Sequence, residues 1–427
     1  MTYSKSINVR GELMELKGKQ LTVLLLSMFI FTLGFGITVP VMPYFAKGLS
    51  GTVVDIGLLM GVFSAMELIF APVWGKISDR FGRKPVMITG LIGFGIGFAA
   101  SGLSTQLWML YASQAFAGLM MAGIFPATMA YIADNTEPGD RTKQMGLLGA
   151  ANGLGVIFGP ALASIFAVWG LEIPFFATAV LAMVTAAITL VWLNEHKEDA
   201  PARAPEKTGD KVAWLQPQML IFFLMMAFVM VAMASLEATF GYFTMDRFGL
   251  SEVPAPMPLL WTSVMLTGTN VMGIAFMFFG LVGAITQAAL VDKVLKRIGE
   301  ERTIITGLIA LAAGTFTLIL AGELVTAIIA ACLMAVGIGL LMPAINGAVS
   351  SRTDRNNQGV VMGILGSFNS TGRVIGPIAG GLAYSVSMLL PYVGSAVLAI
   401  ASAAFLAAWE QMTGVNLKEK SSEPAKP

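Results

Sequence analysis

The sequence is poor in charge, in cysteine and in histidine. Only 12% of its 427 residues are charged, against 56% hydrophobic. Soluble domains carry about 25% charged residues, so this chain lacks the side chains for a water-facing surface. Its one cysteine, Cys332, excludes an internal disulfide and sits in an apolar run that suits a packing role. Its one histidine, His196, lies in a polar stretch. One His and one Cys make neither a metal cluster nor a Cys–His catalytic pair, so no metal, no cofactor and no enzyme activity are expected. There is no G-x-x-x-x-G-K-[ST] phosphate loop, so nothing points to ATP as an energy source. The net charge is +1 with no basic arm, which argues against nucleic acid as a partner.

What the chain has in abundance is apolar sequence. Leu21 to Phe45 and Ile173 to Leu193 contain no charge, and about 20 apolar residues cross the roughly 30 Å hydrocarbon layer of a bilayer. Twelve spans can be read: 21–45, 54–74, 85–103, 106–132, 144–168, 173–193, 218–244, 271–291, 303–322, 324–349, 360–384 and 390–410. The expected fold is an all-α integral membrane protein. The N-terminal residues lack a signal-peptide pattern, so the first span is expected to serve as its own insertion signal. Twelve spans put both termini on one side. With the termini in the cytoplasm, all of the 26 Lys and Arg except Lys47, Arg247 and Arg373 fall on the inner side or in the tails, as the positive-inside rule requires. The expected location is the inner (cytoplasmic) membrane, multi-pass, with the chain acting as a monomer in the lipid bilayer.

The chain repeats itself. "MGLLGAANGLGVIFGP" (Met145 to Pro160) returns 217 residues later as "MGILGSFNSTGRVIGP" (Met362 to Pro377). At the same offset "FPA" (Phe125 to Ala127) meets "MPA" (Met342 to Ala344). Between the copies, "NEHKEDAPARAPEKTGDKVAW" (Asn194 to Trp214) is charged and contains proline. The division expected is a six-helix bundle over 1–193, a cytoplasmic linker over 194–214 and a second six-helix bundle over 215–427. The two bundles would be pseudo-symmetric. Such repeats mark secondary transporters, with the substrate site between the halves.

The loop after the second span, "GKISDRFGRKP" (Gly75 to Pro85), resembles the signature G-x-L-x-D-R-x-G-R-[KR] of the major facilitator superfamily. Gly75, Asp79, Arg80, Gly82, Arg83 and Lys84 match, and Ile77 replaces the Leu. In that family the loop latches the two halves on the cytoplasmic side. A weaker echo, "ALVDKVLKRIGEER", follows the eighth span with Asp292 and Gly299. "GLGVIFGPALAS" resembles the antiporter signature G-x-x-x-G-P-x-x-G-G. Gly155, Gly159 and Pro160 match, while Ala163 and Ser164 replace the final glycines. The second copy is more complete, with Gly372, Gly376, Pro377, Gly380 and Gly381. The ending of the first span, "GFGITVPVMPYFAKGL", and the connection "YIADNTEPGDR" resemble twelve-helix drug and tetracycline efflux pumps. The resemblance runs over residues 20–410. It departs at the fourth span, where many antiporters carry an arginine and this chain has Gln114.

Charges inside a membrane are costly and point to function. Three stand out: Glu67 in the second span, Glu237 in the seventh and Arg373 in the eleventh. The resemblance implies that the first, fourth, seventh and tenth spans line the cavity. It also implies that quinolone-type pumps carry an acid where Glu237 stands. Glu237 is therefore the first candidate for a carboxylate that takes a proton from outside or a cationic substrate from inside. The alternative is a glutamate facing water near the outer end. Glu67 and Arg373 form a candidate pair across the two halves, or stand as two separate charges. Asn152, Asn369, Gln287 and Ser367 are polar residues in spans, more often helix–helix contacts than ligand contacts. Tyr44, Phe240 and Tyr242 are candidate cavity residues beside Gln114, Asn152 and Asn369.

The expected function is export of small amphipathic, cationic or zwitterionic compounds in exchange for protons, by alternating access. Two rivals remain open: a transporter dedicated to one metabolite, sugar, siderophore or tetracycline-like compound, and a lipid translocator or sensor with the same fold. The outer segment Ser251 to Asn270 can be a lid or a short interfacial helix.

Overall fold

A computed structural model of the chain describes residues 3–135, 138–194, 217–259, 262–353 and 358–413. Of the expected linker only Asn194 lies within these ranges, and the C-terminal tail beyond 413 lies outside them.

The first helix, α1 (Tyr3–Thr38), stops where Pro40 biases the preceding Val39 away from helical geometry. A short α2 (Met42–Gly48) restarts with Pro43 in its first turn, a position where a missing N–H costs little. Then α3 (Val53–Phe81) begins with a reciprocal cap between Thr52 and Asp55. It ends at Gly82, whose φ of 103° a side chain would resist. Next come α4 (Arg83–Gly102), α5 (Leu107–Met121) and α6 (Ile124–Asn135). The expected fourth span is thus two helices in line. Pro126 has no N–H to offer the Ala122 carbonyl, and the chain breaks at Ala122–Gly123. Helices α7 (Pro138–Phe166) and α8 (Ile173–Trp192) complete the first group.

The second group starts with α9 (Pro217–Phe248). The segment read as a lid or interfacial helix contains an antiparallel hairpin, β1 (Ala255–Leu259) against β2 (Thr262–Leu266), with Ala255 opposite Leu266. From there α10 (Gly268–Ile285) runs through a wide turn at Thr286–Leu290 into α11 (Val291–Ile298). Gly299, at φ 82°, separates it from α12 (Glu300–Leu320). Helices α13 (Leu324–Ser351), α14 (Gln358–Val386) and α15 (Leu390–Thr413) follow.

Among the described residues, eleven helical stretches are long and apolar enough to cross a membrane. The segment expected as the eleventh span, α14, is a continuous 29-residue helix that is not among them. Asn369, Arg373 and the run of glycines from Gly363 to Gly381 lower its hydropathy.

In the first group α1 packs on α7 and α8, and α4 on α5, α6 and α8. In the second, α9 packs on α14 and α15, while α13 lies against α10 and α12. Two seams join the groups, α3 with α14 and α7 with α10. Small residues let backbones meet where lipid supplies no hydrophobic drive. A Cβ on Gly57 would strike the Pro377 carbonyl, and one on Gly280 would meet Ile157. The signature glycines face the other way. Gly155 and Gly159 bed α7 on α1, beside Thr32 and Gly36, while Gly372 and Gly376 bed α14 on α9, beside Met230 and Val231.

The seams close at one end only. On α3, Gly57 and Gly61 are packed against α14, whereas Gly75, on the same helical stripe, has nothing within 4 Å of a Cβ. On α14, Gly381 is packed while Gly363 and Gly366 are open, and on α7 Gly149 and Gly153 are open below Ile157. The two groups therefore diverge toward the end that carries Asp79. At the hairpin end they are tied together. The Tyr44 hydroxyl and Thr244 Oγ1 share a hydrogen bond of 2.8 Å. The Tyr242 hydroxyl donates to the Gly51 carbonyl at 2.7 Å, and Lys47 Nζ reaches Met245 Sδ at 3.4 Å.

Candidate functional site

Between the groups lies a cavity of about 200 Å³. Its walls come from α1, α7, α9, α10, α12, α13 and α14. Four aromatic rings, Phe35, Phe240, Phe276 and Phe279, line it, with the Phe240 and Phe276 rings edge to face at 5.9 Å. Its lining contains two charged side chains, Glu237 and Arg373, and no other polar side chain. A second pocket of about 40 Å³ adjoins it at the same two residues. Its polar wall is Thr38, Ser64 and Gln114. Phe35, Val39, Glu237 and Arg373 belong to both linings, so the two charges stand between a chamber otherwise wholly apolar and a smaller one that adds three polar side chains.

Arg373, one turn before Pro377 on α14, has no hydrogen bond or ion pair among the described residues. It is nonetheless within electrostatic reach of Glu67 and of Glu237. The expected Glu67–Arg373 pair is thus an electrostatic neighbourhood without a direct bridge. Glu67 lines neither chamber. It follows Met60 and Phe63 by seven and four residues on α3, which places it on their side of the helix, nearer the open end. Glu237 and Arg373 were singled out in the sequence as charges within spans; their shared partition was not legible there.

The other candidates divide. Phe240 lines the larger cavity and Gln114 the smaller one. Gln114 is only 4% exposed, and its Nε2 donates to Ser101 Oγ at 3.2 Å. Asn152 Oδ1 accepts from Thr32 at 2.8 Å, tying α7 to α1, and Asn369 Nδ2 reaches Met226 Sδ at 3.6 Å, tying α14 to α9. Tyr44 and Tyr242 bind the two groups together at the hairpin end. Those four line neither chamber. Pro160 does line the larger one. Phe276, Phe279 and Met334 are wall residues that sequence reading missed, because an apolar residue facing a cavity reads like one facing lipid.

The signature loop is organised within the first group. Arg83 donates to Asp79, to Ser78 Oγ at 3.1 Å and to Asp134 Oδ2 at 3.2 Å. Arg80 lies over the Phe81 ring, 5.3 Å from its centroid. No partner from α9–α15 is recorded for Asp79 among the described residues, so the latch implied by the resemblance is unmade in this arrangement. Outside the spans, Glu252 accepts from Thr269 Oγ1 at 2.7 Å and from its backbone N–H at 3.2 Å. Burial pushes the Glu252 carboxyl above its ordinary range, and the Thr269 bonds partly offset this.

A polytopic helical bundle with an apolar chamber between two groups of helices has the architecture of a membrane transporter. The chain belongs to the Major Facilitator Superfamily, whose model matches residues 24–293 and 267–427. It is 31% identical over 404 residues to Multidrug resistance protein 1 of Bacillus subtilis (strain 168), covering 93% of this chain and 98% of that one. It is 30% identical over 382 residues to the class C tetracycline resistance protein of Escherichia coli, covering 86% and 90%. Among solved structures, a bacterial homologue of the human lysosomal transporter Spinster, inward-facing and occupied, superposes with a TM-score of 0.69 at 15% identity, covering 92% and 96%.

Proposed function

We propose that the protein exports small amphipathic cationic or zwitterionic compounds across the cytoplasmic membrane in exchange for protons. The observation that carries this is Glu237, the one carboxylate in the lining of either chamber. A proton and a cationic substrate compete for it. Such competition is sufficient for antiport, because the site releases one only on taking the other. The relatives named for multidrug and tetracycline resistance support the export direction. The bundles 1–193 and 215–427, joined by 194–214, rock about the cavity. Twelve spans, with α14 as the eleventh, leave both termini in the cytoplasm, and the distribution of Lys and Arg supports that side. With that orientation the arrangement is open to the cytoplasm and sealed outside by Tyr44 and Tyr242.

The test is dye transport in proteoliposomes under an imposed pH gradient, for the native protein and Glu237→Gln. Gradient-driven transport lost in the variant supports the proposal. Native transport indifferent to the gradient refutes the coupling, and gradient-driven transport that survives the substitution moves the proton site away from Glu237.

A further inference from the structure

The partition between the two chambers carries one negative and one positive side chain, and neither has a hydrogen-bond partner among the described residues. Arg373 offers five N–H donors, and none has a hydrogen-bond acceptor among the described residues. The larger chamber has only apolar side chains besides Glu237, and the polar residues of the smaller one are Thr38, Ser64 and Gln114, none of which bonds Arg373. A guanidinium at membrane depth is expensive unless an acceptor or water reaches it.

The chambers also differ in kind. The larger, lined by Phe276, Phe279 and Met334, suits one aromatic body. The smaller, at about 40 Å³, adds Thr38, Ser64 and Gln114 to a wall otherwise formed by apolar side chains, and has room only for a small group. A ligand that lies across the partition meets both charges. A monocation would satisfy Glu237 and leave its charge beside Arg373; a monoanion would do the reverse.

We propose that the site selects zwitterionic aromatic amphiphiles, with a cationic group on Glu237, an anionic group on Arg373 and a ring system of about two fused rings in the Phe276–Phe279 chamber. This deepens the proposed function and rests on its reading of the cavity as the substrate site. Charge-assisted hydrogen bonds from a planar guanidinium to a carboxylate are among the stronger polar contacts. The preference is therefore expected to be at least about tenfold in Kd.

Three probes with one body isolate the charges: 2-naphthylalanine, its methyl ester, which is a cation, and its N-acetyl derivative, which is an anion. Equilibrium binding to the full-length protein in nanodiscs is read from naphthyl fluorescence at neutral pH. The native protein is expected to bind naphthylalanine at least about tenfold more tightly than either derivative. Arg373→Gln should erase the preference over the ester and leave ester binding in place, while Arg373→Lys should keep part of it. Glu237→Gln should erase the preference over the N-acetyl derivative.

A native protein that binds the ester as well as the zwitterion, or binds none of the three, overturns the proposal. So does an Arg373→Gln protein that weakens all three alike. The native ranking decides even if the variants fail to fold. No proton gradient enters the measurement, so failure of the antiport proposal leaves this result intact, and a wrong ranking here leaves antiport standing.

Discussion

Arg83 and Glu300 hold the same place in the two groups of helices and carry opposite charges. Each follows a positive-φ glycine, Gly82 or Gly299, and opens the next helix. Each pairs with the far end of a neighbouring helix: Arg83 with Asp134 at 3.2 Å, Glu300 with Arg352 at 2.7 Å. Where Asp79 supports Arg83, the repeat offset of 217 puts Lys296 before Glu300. The signs are exchanged, yet each tie stays within its own group.

The exchange is testable. Arg83→Glu alone places three acids together and is expected to cost about 1–2 kcal/mol, since the groups are partly exposed. The triple variant Asp79→Lys, Arg83→Glu, Asp134→Arg reproduces the charges of the second group and should recover most of that loss. Thermal unfolding in detergent measures both. A triple variant no more stable than the single one would show that the pairs are not equivalent.

The closed end of the α3–α14 seam depends on the absence of side chains. Gly57→Ala puts a methyl group against the Pro377 carbonyl, where backbone must move. Gly153→Ala, with nothing within 4 Å, is the control and should be within about 0.5 kcal/mol of native. Spin labels at Thr52 and Val253, both exposed near the hairpin end, should show a longer distance for Gly57→Ala and no change for Gly153→Ala.

Two hydroxyls seal that end. Tyr44→Phe removes the bond to Thr244 and Tyr242→Phe the bond to Gly51. Each hydrogen bond contributes about 1 kcal/mol, so each variant should shift the closed-to-open ratio at this end by roughly fivefold. The same pair of labels reports it. Distance distributions unchanged in the double variant would assign the seal to packing of Pro43 and Gly241 instead.

Glu67 separates binding from transport. It lines neither chamber but feels the charge of Arg373. Glu67→Gln should leave the Kd of a cavity ligand within about twofold, because no ligand contact is lost. Turnover should fall, because the neighbour of Arg373 across the seam is neutral in both conformations. A variant that weakens binding and leaves turnover intact would put Glu67 in the site.

The three charges were legible in the sequence because hydrocarbon makes every charge conspicuous, and the repeat was legible because its glycines are fixed by backbone approach. Gly372 and Gly376 could be recognised as contact residues, but not as facing α9 in preference to α3. That distinction depends on helix rotation, which an evenly apolar helix does not write into its pattern. The hairpin Ala255–Leu266 stayed hidden because three prolines within Pro254 to Pro258 obscure any strand alternation. The shared partition of Glu237 and Arg373 joins helices 136 residues apart and has no local signal at all.

Glu252 predicts a pH dependence at the hairpin end. Burial raises its carboxyl above the ordinary 4.5, against the two Thr269 bonds. A carboxyl raised in the folded state binds more protons folded than unfolded, so stability falls as pH rises through the window above 4.5. Glu252→Gln cannot ionise, yet its amide oxygen still accepts from Thr269. The variant should match the native protein at or below the bottom of that window and become the more stable of the two as pH climbs through it. Unfolding temperatures in detergent across that range measure the difference. A native protein that gains on the variant as pH rises would mean that the Thr269 bonds outweigh burial, and that ionised Glu252 stabilises the loop ahead of α10.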